Sequence, residues 1–580
     1  MKASRLSPNL LYHFIFLLLA VAAVLFFKER LFVDSSYYIF KSINEGWFHI
    51  EHGRSILALS QLLPLFGKAL GLSLKSLLIL YSIGQVVFFY LIFLLLNNHF
   101  KASWAAICIP LVMLVGQEWL YFIPMLEIVW GALMAFLVMA IMRTDRWKDD
   151  KWLILMLFAW WFLLTSHPLN YLIAFVLLAY DLLDRRLLKR LHYPLIAFFL
   201  AALFVELIGS DSYENQKVVG LEDSTISLLK EPGFLIDSLL LLVKKYWLVL
   251  ILGILSSIRF IISRKWLAAA LWPMSFVLIY AAGLYRWDLT KDDWYTEVVF
   301  QPIIAISAIL FAFSMLEKAS SSVLTFSRWA FGLIFLGYGI SVFYNAKPMQ
   351  MRTAQIEQMI ASMPHQKGLI YSENIRRPYQ RIEWSLPVEA LLLSACDGAE
   401  ESVSLVTNIE MNYTNHRELL TDSSFLFRRF ERMDYEDLDP EYFAFDKAGY
   451  KMLNTERGLD GLKERADKFE ISPTTKDQML KIPAADTSWV EVKIKNSSEI
   501  PIPSALSTKL YIASHWIQAD TMVRWDGART ALQIDVIDST KQHIRLHAPD
   551  MKGIYEVQFD MVREGEFWLG LKRRYTVQVY

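Results

Sequence analysis

The sequence predicts a multi-pass α-helical membrane protein of about eleven spans, followed by an extracytoplasmic α/β region and a C-terminal β-sandwich. Three observations carry this reading. The 580-residue chain is 55% hydrophobic and 20% charged, above the roughly 45–50% apolar content of soluble domains, and the excess lies N-terminal of about residue 346. Apolar runs of span-like length recur through that part and then stop. From about Thr487 onward, short alternating runs are separated by Asn, Ser, Pro and Gly, the pattern of an antiparallel sandwich.

Lysine plus arginine and aspartate plus glutamate both number 58, so a net charge of zero offers no electrostatic basis for a nucleic-acid partner. Two cysteines in unlike settings, Cys108 in an apolar run and Cys396 in a polar region, argue against a disulfide and against a thiolate zinc site.

The first apolar run, Leu10 to Phe27, follows Lys2 and Arg5 and ends without a small-residue cleavage site, which makes it a retained signal anchor. Further runs lie at 72–96, 104–116, 125–142, 152–165, 168–183, 193–208, 246–258, 266–284, 299–316 and 329–344. Arg143, Arg146, Lys148 and Lys151, then Arg185, Arg186, Lys189 and Arg190, then Arg259, Arg264 and Lys265 all fall on one side if the N-terminus is cytoplasmic. The opposite short connections, Gln117 to Pro124 and Ser166 to Asn170, contain no Lys or Arg. An odd number of spans then places the chain after Tyr344 outside.

Residues 1–345 thus form the membrane domain, with long outer loops at 28–70, 210–245 and 285–298. In the first loop Trp47, Phe48, Ile50, Ile56, Leu57 and Leu59 recur beside His49, Glu51, His52 and Arg54, the composition of a helix lying in the membrane interface.

Residues 346–486 read as an α/β region: a helical stretch through Ile356, Met359 and Ile360, strands at Gly368–Tyr371 and Ser402–Thr407, and a buried helix at Val388–Ala395. Residues 487–580 form the sandwich. Its landmarks are Val492-Lys-Ile-Lys-Asn496, Ser514-His515-Trp516, Gly527-Ala-Arg529-Thr530, Ala548-Pro549, Gly553-Ile-Tyr555, Asp560-Met-Val-Arg-Glu564-Gly565 and Trp568. Their order resembles the immunoglobulin-like accessory domain of some bacterial cell-surface glycosylation proteins, which implies a carbohydrate context and a bacterial inner-membrane location.

Asp34, in Phe32-Val33-Asp34-Ser35-Ser36-Tyr37-Tyr38, places a carboxylate just outside the first span, where it is able to act as a general base toward a substrate hydroxyl. An ordinary helix-capping role is the competing reading. The layout resembles the GT-C family of polytopic glycosyltransferases, which use polyprenyl-phosphate-linked sugars and carry Asp-Glu followed closely by Tyr after the first helix. Asp34 matches the first acid, Ser35 replaces the second, and Tyr37 or Tyr38 matches the aromatic. The replacement at Ser35 speaks against a metal-dependent mechanism; no metal ligands are assigned, and a divalent metal stays open as a cofactor.

His49, Glu51, His52 and Arg54 form a cluster suited to phosphate or sugar, or else a solvated helix face. Gln61 and Pro64 carry the loop toward the second span, where a buried amide needs a partner. In the last outer loop Arg286 offers a cation for a lipid-linked phosphate, with Asp288 and Tyr295 beside it, although an interfacial aromatic belt also explains these residues. Glu118 and Glu127 flank an outer turn, Glu127 lining a cavity or bonding inside the bundle, and His167 in the Ser-His-Pro break is either a pocket residue or a packed histidine.

The expected activity is an inverting transfer of a sugar from a polyprenyl-phosphate carrier to a periplasmic glycan, lipid or protein, with Asp34 as base and Arg54 or Arg286 holding the departing phosphate. The alternatives are a catalytically inactive scaffold of the same fold in cell-envelope assembly and a lipid-linked-glycan transporter.

Overall fold

The computed structural model describes residues 8–185, 189–208, 233–286, 289–290, 294–361, 363, 366–370, 385–407, 425–428, 431–446, 450–452, 462–474, 479–498, 502, 510–533, 536 and 538–580. The chain divides into two compact units: Met1–Ala354 with Leu392–Glu401 and Leu438–Ala444, and Gln355–Leu391 with Ser402–Asp437 and Phe445–Tyr580.

The first unit is helical. Its helices are α1 (Pro8–Leu25), α2 (Asp34–Glu45), α3 (Leu57–Ala69), α4 (Leu74–Leu94), α5 (Ser103–Ala106), α6 (Ile109–Leu114), α7 (Glu127–Arg143), α8 (Asp150–Leu164), α9 (Asn170–Arg185), α10 (His192–Ile208), α11 (Phe234–Ile262), α12 (Trp266–Arg286), α13 (Trp294–Phe311) and α14 (Ser321–Ala361). Among the described residues, 6 helices are long and apolar enough to cross a membrane: Pro8–Leu25, Leu74–His99, Phe234–Ile262, Trp266–Leu284, Trp294–Leu316 and Ser321–Ala361. The sequence reading of about eleven spans is not met at this length. The remaining predicted spans do form helices, but α7 to α10 have only 17, 15, 16 and 17 residues, and the run at 104–116 is broken into α5 and α6.

Burial separates core helices from exposed apolar ones. In Trp294–Leu316, 89% of the apolar window is buried, against 22% in Ser321–Ala361. A helix apolar all round belongs in the middle of a bundle, and α7, buried from Glu127 to Met142, packs beside α13 there.

Between α6 and α7 the chain runs through Val115–Leu126 with only one short 3-10 turn, Leu120–Phe122, and apart from Glu118 and Trp119 every residue of it is buried. Irregular backbone inside an apolar bundle survives only if its polar groups find partners. Glu297, 1% exposed, accepts from the N–H groups of Glu118 and Trp119 (each 2.9 Å) and of Leu120 (2.9 Å), and its charge is matched by Lys245 at 2.8 Å. Arg30, fully buried, donates to the Tyr121 carbonyl and, at 2.8 Å, to Gln85. The Trp130 indole donates to the Pro124 carbonyl at 2.8 Å, and Gln301 donates to the Val112 carbonyl at 2.9 Å.

At the other ends of these helices Arg143 bridges Asp181 (2.8 Å), Asp184 (2.8 Å) and Glu317 (2.6 Å), while Arg185 and His192 both reach Asp181 and Lys265 reaches Asp184. Arg143, Arg185 and Lys265, from three loops assigned to one side by sequence, therefore meet in one network.

Two boundaries differ from the sequence reading. Helix α14 runs without interruption through the division expected at 345–346, because residues 346–361 keep helix-forming side chains and Pro348 is accommodated inside the helix. The outer loops predicted at 210–245 and 285–298 end inside α11 and α13, and residues 209–232 lie outside the described residues.

In the second unit β1 (Lys367–Ile370) pairs in parallel with β2 (Ser404–Thr407) and β5 (Lys451–Met452), while β3 (Phe425–Arg428) and β4 (Glu431–Met433) form a hairpin. Parallel neighbours need a crossover, and helix α15 (Leu386–Ser394) lies in the chain between β1 and β2, as the apolar run at Val388–Ala395 predicts.

The sandwich begins before residue 487. Strand β6 (Phe469–Pro473) joins β8 (Thr487–Asn496) and β12 (Ser539–His547) in the order β12-β8-β6. The facing sheet holds β7 (Leu480–Ile482), β9 (Leu510–Gln518), β10 (Thr521–Arg524), β13 (Gly553–Arg563) and β15 (Arg574–Val579) in the order β10-β9-β13-β15-β7, with β11 (Thr530–Ala531) on β9 and β14 (Phe567–Trp568) on β13. All pairs are antiparallel except β15 with β7. Alternate residues of both sheets, Val492, Ile494 and Leu546 from one and Ile512, Trp516, Val557 and Val577 from the other, fill a single core. The Tyr555 hydroxyl donates back to the Met551 carbonyl at 2.9 Å and closes the corner before β13.

Gly116 yields a prediction. Its φ is +68°, and a Cβ there would lie 2.2 Å from the Tyr246 ring; Gly71 has φ +69° and nothing within 4 Å. Gly71→Ala should cost only the left-handed backbone penalty of about 1–2 kcal/mol, and Gly116→Ala about 1–3 kcal/mol more from overpacking. Thermal melts of the two variants in nanodiscs measure the difference.

Candidate functional site

The chain enters α2 through a strained residue. Val33 has φ 55° and ψ −124° and is 1% exposed, a conformation that a β-branched side chain adopts only when its surroundings force it. The forcing contacts lie on both sides: Arg30 ties the preceding turn to the buried Tyr121 segment, and Ser35 N–H and Ser36 N–H bond back to the Phe32 and Val33 carbonyls at 3.2 Å. Asp34 follows as the first residue of α2, half-buried, so its backbone belongs to the helix and Val33 holds the capping position.

Asp34, Tyr37, Tyr38, Lys41 and Glu45 recur at helical spacing along α2. The segment Trp47–Ile56, which the sequence reading made part of an interfacial helix, is irregular instead, lying between α2 and α3. Gly46 ends α2 in a left-handed conformation. The buried amide of Gln61 then pins the returning chain: it accepts from His49 N–H and donates to the His49 carbonyl, both at 2.8 Å.

That turn folds Glu51 over α2. Its carboxylate accepts from the Tyr37 hydroxyl at 2.7 Å and the Tyr38 hydroxyl at 3.4 Å, and it meets His49 at 3.3 Å and His52 at 3.8 Å. His49 reaches Glu45 with its other ring nitrogen at 3.2 Å, and Glu45 in turn pairs with Lys41. Burial, then the fields of Glu51, Asp34 and Glu127, hold the Tyr38 hydroxyl well above the ordinary phenol value, with Arg54 opposing. Asp34, Glu51, Glu127 and Arg54 thus all act on one hydroxyl. Burial works against a charged ring at His49, but hydrogen bonds and charge from Glu51 and Glu45 outweigh it and raise the imidazole pKa.

Arg54 is ion-paired with Glu127, the buried first residue of α7, which answers the sequence question about that acid: it bonds inside the bundle. Arg54 also lines a cavity of about 580 Å³ together with His52, Trp161, Thr165, His167 and Glu206. Ser55 anchors this wall through Thr165 (2.8 Å) and the Trp161 indole (3.1 Å), and His167 accepts from Leu169 N–H at 3.1 Å. His52 and Arg54 share one cavity with His167, which is far from them in sequence.

Of the other predicted residues, Glu118 and Tyr295 stand on separate segments. The Glu118 side chain is exposed, and its backbone rather than its carboxyl makes the structural contact, to Glu297. Tyr295 is 39% exposed and packs on Trp294 at 4.0 Å. The Arg286 side chain and Asp288 lie outside the described residues.

Sequence reasoning missed Arg30, whose burial no composition signal reveals, and Arg352, assigned to the soluble half but placed with its guanidinium 5.0 Å over the Phe32 ring. It also left Glu297 in a loop, although an acid preceding Gln301-Pro302 at the start of an apolar run was a signal for a helix N-terminus. Among the described residues no three His, Cys, Asp or Glu side chains are grouped to hold a metal ion. Of the acids in the cluster, Glu51 is engaged by Tyr37, Tyr38 and His49, and Glu127 by Arg54.

Because the His49 pKa is raised in the folded protein, its ion pairs contribute fully below the unfolded value of about 6.5, and the contribution is lost as pH rises through the folded value. His49→Gln should therefore lower the melting temperature at pH 5.5, with the difference from wild type shrinking toward pH 8.5.

Comparisons with protein-family models, curated proteins and solved structures give no significant match to this chain.

Proposed function

We propose that the chain is a GT-C type glycosyltransferase of the bacterial inner membrane, which transfers a sugar from a polyprenyl-phosphate carrier to a periplasmic glycan, lipid or protein with inversion. The observation that carries this reading is Asp34, presented by a strained buried residue at the edge of a carboxylate–tyrosine–arginine cluster next to a cavity. Strain of this kind clusters at functional sites.

In this reading an acceptor hydroxyl gives its proton to the Asp34 carboxylate as its oxygen bonds to the anomeric carbon. The bond from that carbon to the carrier phosphate breaks on the opposite face, and the lipid phosphate leaves with the electron pair. Arg54 stabilises that charge: its guanidinium has five donors, enough to keep Glu127 and donate to a phosphate oxygen. Trp161, Leu164, Ala201, Ala202 and Val205 give the cavity its apolar wall, suited to the first carrier units, and Tyr37 and Tyr38 orient Glu51 toward sugar hydroxyls.

The C-terminal sandwich is read as immunoglobulin-like, on the buried Trp516 and the Tyr555 corner, with an acceptor-selecting role. A catalytically inactive scaffold is favoured by Ser35, which stands where the family has its second acid.

Asp34→Asn should cut transfer by about 10²–10⁴-fold. Mass spectrometry of a strain carrying only this variant should show the lipid-linked donor accumulating as in a deletion strain. Unchanged surface glycans in that strain would retire the base role and leave the scaffold.

The arrangement of eleven crossings, with the shorter helices also spanning, is supported by the Arg143 network, which gathers one end of α7, α9, α10, α12 and α13. With Cys108 and Cys396 replaced by Ala, an impermeant maleimide added to spheroplasts should label Asp520→Cys and spare Asp149→Cys. The reverse pattern would invert the proposed topology.

A further inference from the structure

The sandwich carries a second constellation that the proposed transfer site does not use. Trp525, immediately after β10, is 53% exposed. Its ring stacks on His515 at 4.2 Å and 25°, and Trp568 of β14 packs against the same histidine at 4.6 Å and against Trp525 at 5.7 Å. Arg529 lies over Trp568 at 4.8 Å, pairs with Asp526, and donates through Nε to Glu564 at 3.1 Å.

This group is built on a rigid floor. His515 is fully buried, donates from Nδ1 to the Trp525 carbonyl, and meets Asp560 at 3.4 Å. The Asp560 carboxylate in turn accepts from the N–H groups of Met561 (2.7 Å), Gly570 (3.0 Å) and Leu571 (3.1 Å). Gly527 sits so close to β9 that a Cβ there would lie 2.4 Å from the Ser514 carbonyl oxygen, so the loop from Trp525 to Arg529 is seated directly on the sheet. An indole that is half exposed yet fixed on its buried side costs little entropy when something covers the other face.

We infer that Trp525, Trp568, Arg529, Asp526 and Glu564 form a non-catalytic carbohydrate-binding site on the sandwich. A pyranose ring has one face of C–H bonds and an equator of hydroxyls. The C–H face pairs with an aromatic plane, and the hydroxyls accept hydrogen bonds from a guanidinium and donate them to carboxylates. Here the Trp525 indole stands beside Trp568, whose ring carries the Arg529 guanidinium, and two carboxylates pair with that guanidinium. The cluster is net negative by one charge, which disfavours nucleic acid and anionic lipid. This inference does not rest on the role given to Asp34.

The test uses the full chain in nanodiscs, since sugar-headed detergents would compete, on a printed array of defined neutral and acidic oligosaccharides. Wild type should bind at least one of them, and Trp525→Ala and Arg529→Met should each weaken that binding at least tenfold with an unchanged melting temperature. Asp34→Asn should bind as wild type does, which separates this site from the transfer site. Should Trp525→Ala melt early, Arg529→Met alone decides. No binding by wild type, binding indifferent to the decisive variants, or capture of a protein by this face in place of any glycan overturns the proposal.

Discussion

A membrane-embedded bundle that contains twelve residues outside any α-helix, Val115 to Leu126, must supply hydrogen-bond partners from elsewhere in the chain, and this requirement organises the first unit. Glu297 answers three consecutive N–H groups, Lys245 answers Glu297, and Arg30 answers the Tyr121 carbonyl. Each is a charged side chain taken out of water: Glu297 and Lys245 neutralise one another, and Arg30 is held by the Tyr121 carbonyl and the Gln85 amide. The same contacts fix the chain just ahead of Asp34: Arg30 holds the turn, the turn holds Val33 at positive φ, and Val33 starts the helix that presents the acid.

The candidate site inherits its geometry from that framework. Gln61 staples the turn at His49, Glu51 is drawn over α2 by two tyrosines, and Arg54 is held at the cavity wall by Glu127 of the buried helix α7. Glu127 is uncompensated without Arg54, so the irregular loop and the bundle core constrain one another through a single ion pair.

What the sequence made legible follows from which physical signals are local. Apolar runs predicted the helices, positive loops put Arg143, Arg185 and Lys265 on one side, and alternation predicted the sandwich; those three residues share one network, and β8, β9, β12, β13 and β15 stand where the alternating runs lie. The cluster of Asp34, Tyr37, Tyr38, His49, Glu51, His52 and Arg54 was legible because it is nearly contiguous. Span length was harder, since hydropathy does not mark where a helix such as α8 stops after 15 residues. The interfacial helix was misplaced because the amphipathic composition of Trp47 to Leu59 carries no record of the Gly46 stop or of the Gln61 staple. Arg30, Arg352 and Glu297 act on residues about 90, 320 and 180 positions away, a scale at which one sequence gives no pairing information.

The Arg143 network also bears on how the chain is made. Arg143 ends a helix that reaches its final surroundings only when Glu317, 174 residues further along, has been synthesised. Asp181 and Asp184 arrive sooner and offer interim neutralisation. Until the last partner emerges from the ribosome, α7 lacks α13 on its flank and a full set of counter-charges at its end. Assembly of this bundle is therefore ordered: α7, although made early, acquires its full surroundings only after residue 317 has followed.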